Sequence, residues 1–273
     1  APASQKVEVE AEGVPEKWNM VLLYDGSFDG FLSVLFDVYA QKITPEDIGK
    51  ETHYQSDFFS EKLRISTQPL HAQRVWAGWQ KKLSKPLKQL PLLAFLSEEN
   101  GMEMKLYHFA RLSFASPIPV DGNFADPAVL DIRKAARRVS QEAMRMIQFA
   151  RFQQTRDGIY FAGLLPRYDV LPMTVNHFRD RFADQNWLVY DMKRDYGFFY
   201  NRQTIDEVTL SDKKFCATTG RLQPDVLMEG EAAYQRLWNH YYRHITIRER
   251  LNLKCHKNLL PKRYWNLLTE KIP

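Results

Sequence analysis

Cysteine is scarce in this chain: Cys216 and Cys255 are the two in 273 residues. Neither has a second cysteine at ligand spacing, which removes zinc and iron–sulfur clusters and any disulfide framework and points to a reducing, cytoplasmic setting. Long apolar runs are missing too. No stretch approaches the roughly 18 residues of a membrane span, so no membrane is expected among the partners. Residues 1–17 alternate acids with lysines instead of carrying the apolar core of a signal peptide, and read as a disordered leader. A Gly-rich phosphate loop, an HExxH pair, a G-x-S-x-G elbow and the His/Glu plus paired-Cys signature of deaminases are likewise absent. With those classes set aside, no cofactor is expected and a non-catalytic role is favoured.

What is present is an ordinary globular composition, 44% hydrophobic, with enough length for a substantial core. Structure is expected from residue 18, as one α+β domain over 18–273 with a mostly helical part (18–150) and a sheet plus basic helices (151–273). The run from Trp18 to Tyr24 reads as a strand ended by the Asp25-Gly26 turn. Ser27 or Asp29 then caps a helix with Phe31, Leu32, Leu35, Phe36 and Tyr39 at helical spacing. Helical periodicity returns around 69–83 and 103–114. The longest predicted helix starts at Pro127 with Asp126 as its cap, and sets Val129, Ile132, Ala136, Val139, Ala143, Met146 and Ile147 on one stripe. Lys134, Arg137, Arg138 and Arg145 fall opposite and read as a solvated face.

From Arg151 to Arg202 there are twelve aromatics in 52 residues, against 13% in the whole chain, so this segment is expected to supply a sheet and much of its core. Asp157-Gly158 marks a hairpin, a short helix follows Pro172, and two further strands flank the charged turn at Lys193 to Asp195. The order is ββαββ, and the sheet is read as antiparallel.

The last forty residues, Tyr234 to Pro273, hold nine Lys/Arg against two acids, a net +7 in a chain of +5. Tyr234, Trp238, Tyr241, Tyr242, Tyr264 and Trp265 lie among them. Phosphate-pairing charge beside stacking surface is what single-stranded or distorted nucleic acid needs. With Tyr234, Leu237, Trp238 and Tyr241 packed inward, helical spacing turns Arg236, His240 and Arg243 outward, to join Arg248, Lys254, Lys257, Lys262 and Arg263 in one patch. His240 and His244 are at metal-ligand spacing but lack a third ligand, so no metal is assigned. A rival reading uses Asp169 with Asp191-Met192-Lys193: two carboxylates to hold Mg²⁺ and a lysine to polarise water, as in metal-dependent nucleases. The plain alternative is a charged hairpin end.

Several longer motifs resemble one family. They are Tyr24-Asp-Gly-Ser-Phe-Asp-Gly-Phe-Leu32, Arg151-Phe-Gln-Gln-Thr155 with Gly158-Ile-Tyr160, and His177-Phe-Arg-Asp-Arg-Phe-Ala-Asp-Gln-Asn-Trp187 through Tyr190-Asp-Met-Lys-Arg-Asp-Tyr-Gly197. Glu249-Arg250, Leu260-Pro-Lys-Arg-Tyr-Trp265 and Leu268-Thr-Glu270 fit the same pattern. Over roughly Trp18 to Ile272 the chain resembles a bacterial domain of unknown function whose members are assigned to DNA metabolism or DNA repair. That domain stands beside a DNA-repair radical S-adenosylmethionine protein, or is fused to a uracil-DNA glycosylase-like domain. The resemblance therefore implies DNA as ligand and one of those proteins as partner; neither partner's catalytic motif is visible in this chain. Of the matched residues, Phe28, Phe31, Phe152, Tyr160, Phe178, Phe182 and Trp187 read as core. Arg151, Arg181, Asp184, Asp191 and Lys193 must each lie in an ion pair or at a working surface, because an unpaired buried charge is costly. The expectation is a nucleic-acid-binding accessory or recognition factor in DNA repair. A nuclease or base-processing enzyme and a protein-interaction subunit are the alternatives.

Overall fold

The computed structural model describes residues 20–52 and 61–271; the expected leader and Trp18 lie outside the described residues. The chain divides into two compact units. One takes the chain through Phe95 and again Glu99–Arg133; the other takes Leu96–Glu98 and everything from Lys134.

In the first unit the expected strand is Met20–Tyr24 (β1), with Val21 to Tyr24 all buried. Its continuous apolar run suits the centre of a parallel sheet, where both faces are covered. Pro45–Lys50 (β2) and Glu61–Arg64 (β3) pair with it in parallel on either side. These edge strands were not anticipated. Pro-Glu-Asp-Ile-Gly-Lys and Glu-Lys-Leu-Arg carry little apolar alternation, because an edge strand needs to bury little of itself. Between β1 and β2 lies Phe28–Gln41 (α1), whose Phe31, Leu32 and Leu35 are buried as their spacing requires. Pro69–Lys82 (α2), Leu90–Phe95 (α3) and Met102–Ala115 (α4) add to this core, with the Trp79 and Phe109 rings 5.7 Å apart.

The turn after β1 is tightly specified. Asp25 Oδ1 accepts from the Ser27 amide (2.9 Å) and hydroxyl (2.7 Å), and Oδ2 from the Thr67 hydroxyl (2.7 Å). Ser27 Oγ in turn caps α1 by accepting from Gly30 N at 2.9 Å. A Cβ at Gly30 would collide with Asp25 Oδ1 and lie 2.9 Å from Thr67 Oγ1. Gly30 is therefore required by close approach.

Pro127–Phe149 (α5) is the expected long helix. Asp126 Oδ1 accepts from the amides of Ala128 (2.8 Å) and Val129 (3.2 Å), and Val129, Ile132, Ala136, Val139, Ala143 and Met146 are buried. In the second unit Gln153–Gln154 (β4), Tyr160–Leu164 (β5), Leu171–Arg181 (α6), Trp187–Asp191 (β6) and Tyr196–Tyr200 (β7) reproduce the ββαββ order, and Ile205–Val208 (β8) extends it. The sheet runs β4-β5-β6-β7-β8 and is mixed, not antiparallel throughout. β5 and β6 pair in parallel, because a helix crossing between two neighbouring strands returns the chain to its starting end. The other pairings are antiparallel. One face packs on Phe178 and Trp187, with Phe152 against Phe178 and Phe182; the other packs on Phe161, Tyr190 and Phe215. Glu231–His244 (α7) and Leu253–Leu259 (α8) follow, then 3-10 turns at Lys262–Leu267 and Thr269–Lys271. Among the described residues no helix is long and apolar enough to cross a membrane.

Helix propensity alone favours alanine over glycine by about 1 kcal/mol. Gly30→Ala should nevertheless destabilise the protein by about 1–2 kcal/mol, since the methyl group displaces Asp25 from the cap network. In an Asp25→Ala background the same change should cost less, the closest clash being gone while Thr67 and Tyr24 still crowd the site; equal penalties in both backgrounds, measured by urea unfolding, would remove Asp25 from the steric explanation.

Candidate nucleic-acid interface

Helix α7 lies opposite to the way its sequence suggests. Tyr234 and Leu237 are each 64% exposed, Tyr241 55% and Trp238 41%, so the stripe expected to pack inward faces solvent. The inward positions are polar. Glu231 is buried, and Gln235, Asn239 and Tyr242 are half-buried at the same helical spacing. Periodicity shows that a helix has an apolar face, but not which neighbour, if any, covers it. Here the helix is held by polar tethers. Trp238 Nε1 donates to Glu270 Oε2 at 2.9 Å, and Lys271 Nζ donates to the Tyr242 hydroxyl at 2.6 Å.

Arg236, His240 and Arg243 are also exposed, at positions well round α7 from the aromatic stripe. The His240 and His244 ring centroids lie 3.9 Å apart with the planes tilted. Among the described residues, no group of three or more His, Cys, Asp or Glu side chains has metal-binding geometry. Lys254 and Lys257 are exposed on α8, and Lys262 is exposed with its ammonium 6.0 Å from the Trp265 ring. The Arg248 side chain lies outside the described residues. Arg263 leaves the expected patch: its Nη2 pairs with Glu142 Oε2 at 2.5 Å and also contacts the Tyr264 hydroxyl. Glu142 is buried on α5, where it also accepts from Tyr264 (2.5 Å) and from the Arg167 amide (2.9 Å). A carboxylate between Val139 and Met146 on an apolar stripe was the available signal for this buried cluster.

The matched charges divide as the cost of burial demands. Arg151 makes a two-pronged contact with Glu270, Nη2 to Oε1 at 2.6 Å and Nε to Oε2 at 3.3 Å, and its guanidinium lies 5.9 Å from the Trp238 ring. Arg181 and Asp184 are exposed. Asp191 is fully buried. Its Oδ1 accepts from the amides of Lys193 (2.8 Å) and Arg194 (3.1 Å), and its Oδ2 pairs with Arg194 Nη1 at 2.8 Å. Arg194 also reaches Glu98 at 2.5 Å, and the two carboxylates outweigh burial to raise its pKa. Asp169 accepts from the Tyr196 hydroxyl; burial, with Glu98 and Asp191 nearby, holds its pKa above the ordinary range. Lys193 turns away and donates to the Arg167 carbonyl at 3.1 Å. Asp191 thus sits in an ion-pair network organised by Arg194 while Asp169 is bonded to Tyr196, without Lys193 aimed at either carboxylate. Arg194 belongs to the charged hairpin end that the sequence offers as the plain alternative; Glu98 is not singled out there, since it joins from a distant segment.

Glu270 has a side chain only 4% exposed against 27% for Arg151. Burial raises its pKa, but the bonds from Arg151 and Trp238 outweigh that and hold it below the ordinary 4.5. A depressed carboxylate contributes stability above its unfolded pKa and loses it as pH falls through the folded value. Tethering of α7 to the C-terminal turn should therefore persist above pH 4.5 and loosen below it, seen as a change in Trp238 emission absent in Glu270→Gln. Arg151→Ala should cost about 3 kcal/mol by leaving a buried charge unpaired, whereas Arg151→Ala with Glu270→Gln should recover part of it. An additive pair would sink that account.

Exposed Cys216 begins a tight loop closed by its carbonyl accepting from Gly220 N at 2.8 Å. Hydrogen bonds from Thr218 and then Thr219 hold its thiol down at about 6. Its alkylation by iodoacetamide should have a midpoint near pH 6, moved upward by Thr218→Ala. An unmoved midpoint would exclude the threonine as the cause.

Comparison with curated proteins gives no match. A family model described as a domain of unknown function, DUF4130, matches residues 100–270. That span holds α5, the mixed sheet, α7 and the C-terminal turns, and leaves the Tyr24 to Leu32 motif outside it. Because the match covers more than half of the 273 residues, the chain belongs to the DUF4130 family.

Proposed function

We propose that this protein is a nucleic-acid-binding accessory or recognition factor in DNA repair or DNA metabolism. It works beside a partner enzyme and has no catalytic centre or cofactor of its own. The observation that carries the reading is α7, where Tyr234, Trp238 and Tyr241 stand exposed on a helix that also exposes Arg236, His240 and Arg243. Exposed rings offer stacking platforms that accept any base, and neighbouring cations neutralise phosphates. The sequence alone favours cations outward and rings inward; with the rings exposed as well, α7 offers stacking faces and, further round the helix, cations within reach of a strand that crosses it. The partner in this reading is the one the motif resemblance implies, a DNA-repair radical S-adenosylmethionine protein or a uracil-DNA glycosylase-like domain. For the nuclease alternative, the carboxylates of Asp169 and Asp191 are already engaged by Tyr196, Arg194 and backbone amides.

One observation favours a second reading, a protein-interaction subunit: exposed aliphatics also occur here, with Leu253 62% and Leu259 70% exposed. Such side chains offer no stacking face and suit a protein partner.

Each neutralised phosphate adds about 0.7 to the salt slope on a single strand, so Arg236→Ala with Arg243→Ala should flatten the slope by about 1.4 and weaken binding. Tyr241→Ala should lower affinity roughly 5- to 150-fold, the range for one stacked base, with an unchanged melting temperature because the ring is exposed. If oligonucleotide binding shows neither effect, the interface is not on α7. If no oligonucleotide binds at low salt, the protein-interaction reading replaces this one.

A further inference from the structure

Two cavities meet on the exposed side of α5. The first, about 560 Å³, is walled by Phe152, Tyr234 and Trp238 and carries the side-chain amides of Gln148 and Gln235. The second, about 430 Å³, is lined by Arg137, Arg145, Met144 and Leu259. Gln148 lines both, so they share a wall within one unit. Both volumes fall in the range of about 300–1,000 Å³ usual for small-ligand sites.

The chemistry of the two differs. In the first, aromatic faces stand beside carboxamides, which pair equally well with donors and acceptors. Trp238 is fixed by its bond to Glu270 and by the Arg151 guanidinium, so stacking on it costs little side-chain entropy. Gln235 Nε2 donates to Glu231 Oε1 at 3.2 Å, which leaves the Gln235 carbonyl oxygen as an acceptor; the Gln148 amide makes no hydrogen bond among the described residues. Arg151 is committed to Glu270, and Glu231 adds a carboxylate that disfavours an anion. The second cavity is the reverse, with two arginines and no carboxylate in its lining. Arg137 and Arg145 lie eight residues apart on one helix, about 12 Å along its axis, and Arg145 is about 4.5 Å along the axis from Gln148. The sequence pattern reads these arginines as mere solvation; the structure puts them on a cavity wall.

We propose that this double groove takes one nucleotide of a single strand, with its base against Trp238 and Tyr234 and its backbone phosphates on Arg145 and Arg137. Resting on the nucleic-acid reading above, it adds a site that discriminates the base from its backbone. Gln148 stands at the junction and reads the base edge.

The test uses the full chain with a short oligothymidylate carrying one photoreactive 5-iodouracil. Crosslinking should map to Tyr234 or Trp238. Gln148→Glu, a change at an exposed side chain, places a negative charge between the two cavities and should weaken binding about tenfold or more. Arg145→Ala should lower the salt slope by about 0.7. Wild-type affinity in Gln148→Glu, or crosslinks confined to Tyr241 and beyond, would overturn the groove while leaving α7 as a nucleic-acid surface. A wild-type chain that binds no oligonucleotide at low salt would overturn both readings. Oligoglutamate that binds as tightly as the oligonucleotide and is lost in Gln148→Glu would make the occupant an acidic peptide and overturn the nucleotide.

Discussion

The buried carboxylate of Glu270 is the constraint on which the candidate interface rests. A desolvated charge must be paired: Arg151, just past α5, neutralises it, and Trp238, from the middle of α7, donates a hydrogen bond to it. One side chain near the C-terminal end thereby joins three parts of the second unit that are far apart in sequence. It orients the Trp238 ring, keeps the Arg151 guanidinium from acting as a free cation, and holds α7 against its support without covering its aromatic stripe. Arg151 of the family motif is thus structural, whereas Arg137 and Arg145, outside those motifs, line a cavity.

Helix α7 shows why apolar pattern and burial are separate properties. Its polar side turns inward on Glu231, Gln235 and Tyr242, and its rings turn outward. A helix that exposes large apolar residues forgoes the burial stabilisation they could supply, about 25 cal/mol for each Å² of apolar surface. The polar tethers to Glu270 and Lys271 hold it in place, so the outward stripe is free to meet a ligand.

The Arg194 network follows the same rule of paired burial. Asp191 closes the turn after β6 through two backbone amides, and Arg194 folds back to neutralise both it and Glu98. A hairpin end and a nuclease motif share the same residue letters here. The direction of Lys193, toward the Arg167 carbonyl, separates the two arrangements.

Much of the fold was legible in the chain: β1 from its apolar run, α5 from Asp126 and its stripe, the ββαββ order from the Asp157-Gly158 turn and the aromatic density. The parallel β5/β6 pairing follows from that order once the crossover geometry of α6 is considered. The edge strands β2 and β3 were not legible, because weakly buried strands leave little periodic trace. For the candidate site, sequence determined the local inventory, namely the excess of cations, the interleaved rings and their helical spacing. Only tertiary structure decided which of these meet solvent, that Arg263 is spent on Glu142, and that Gln148 stands between an aromatic cavity and a basic one. Those outcomes depend on contacts between residues far apart in the chain, and helical spacing carries no information about a distant partner.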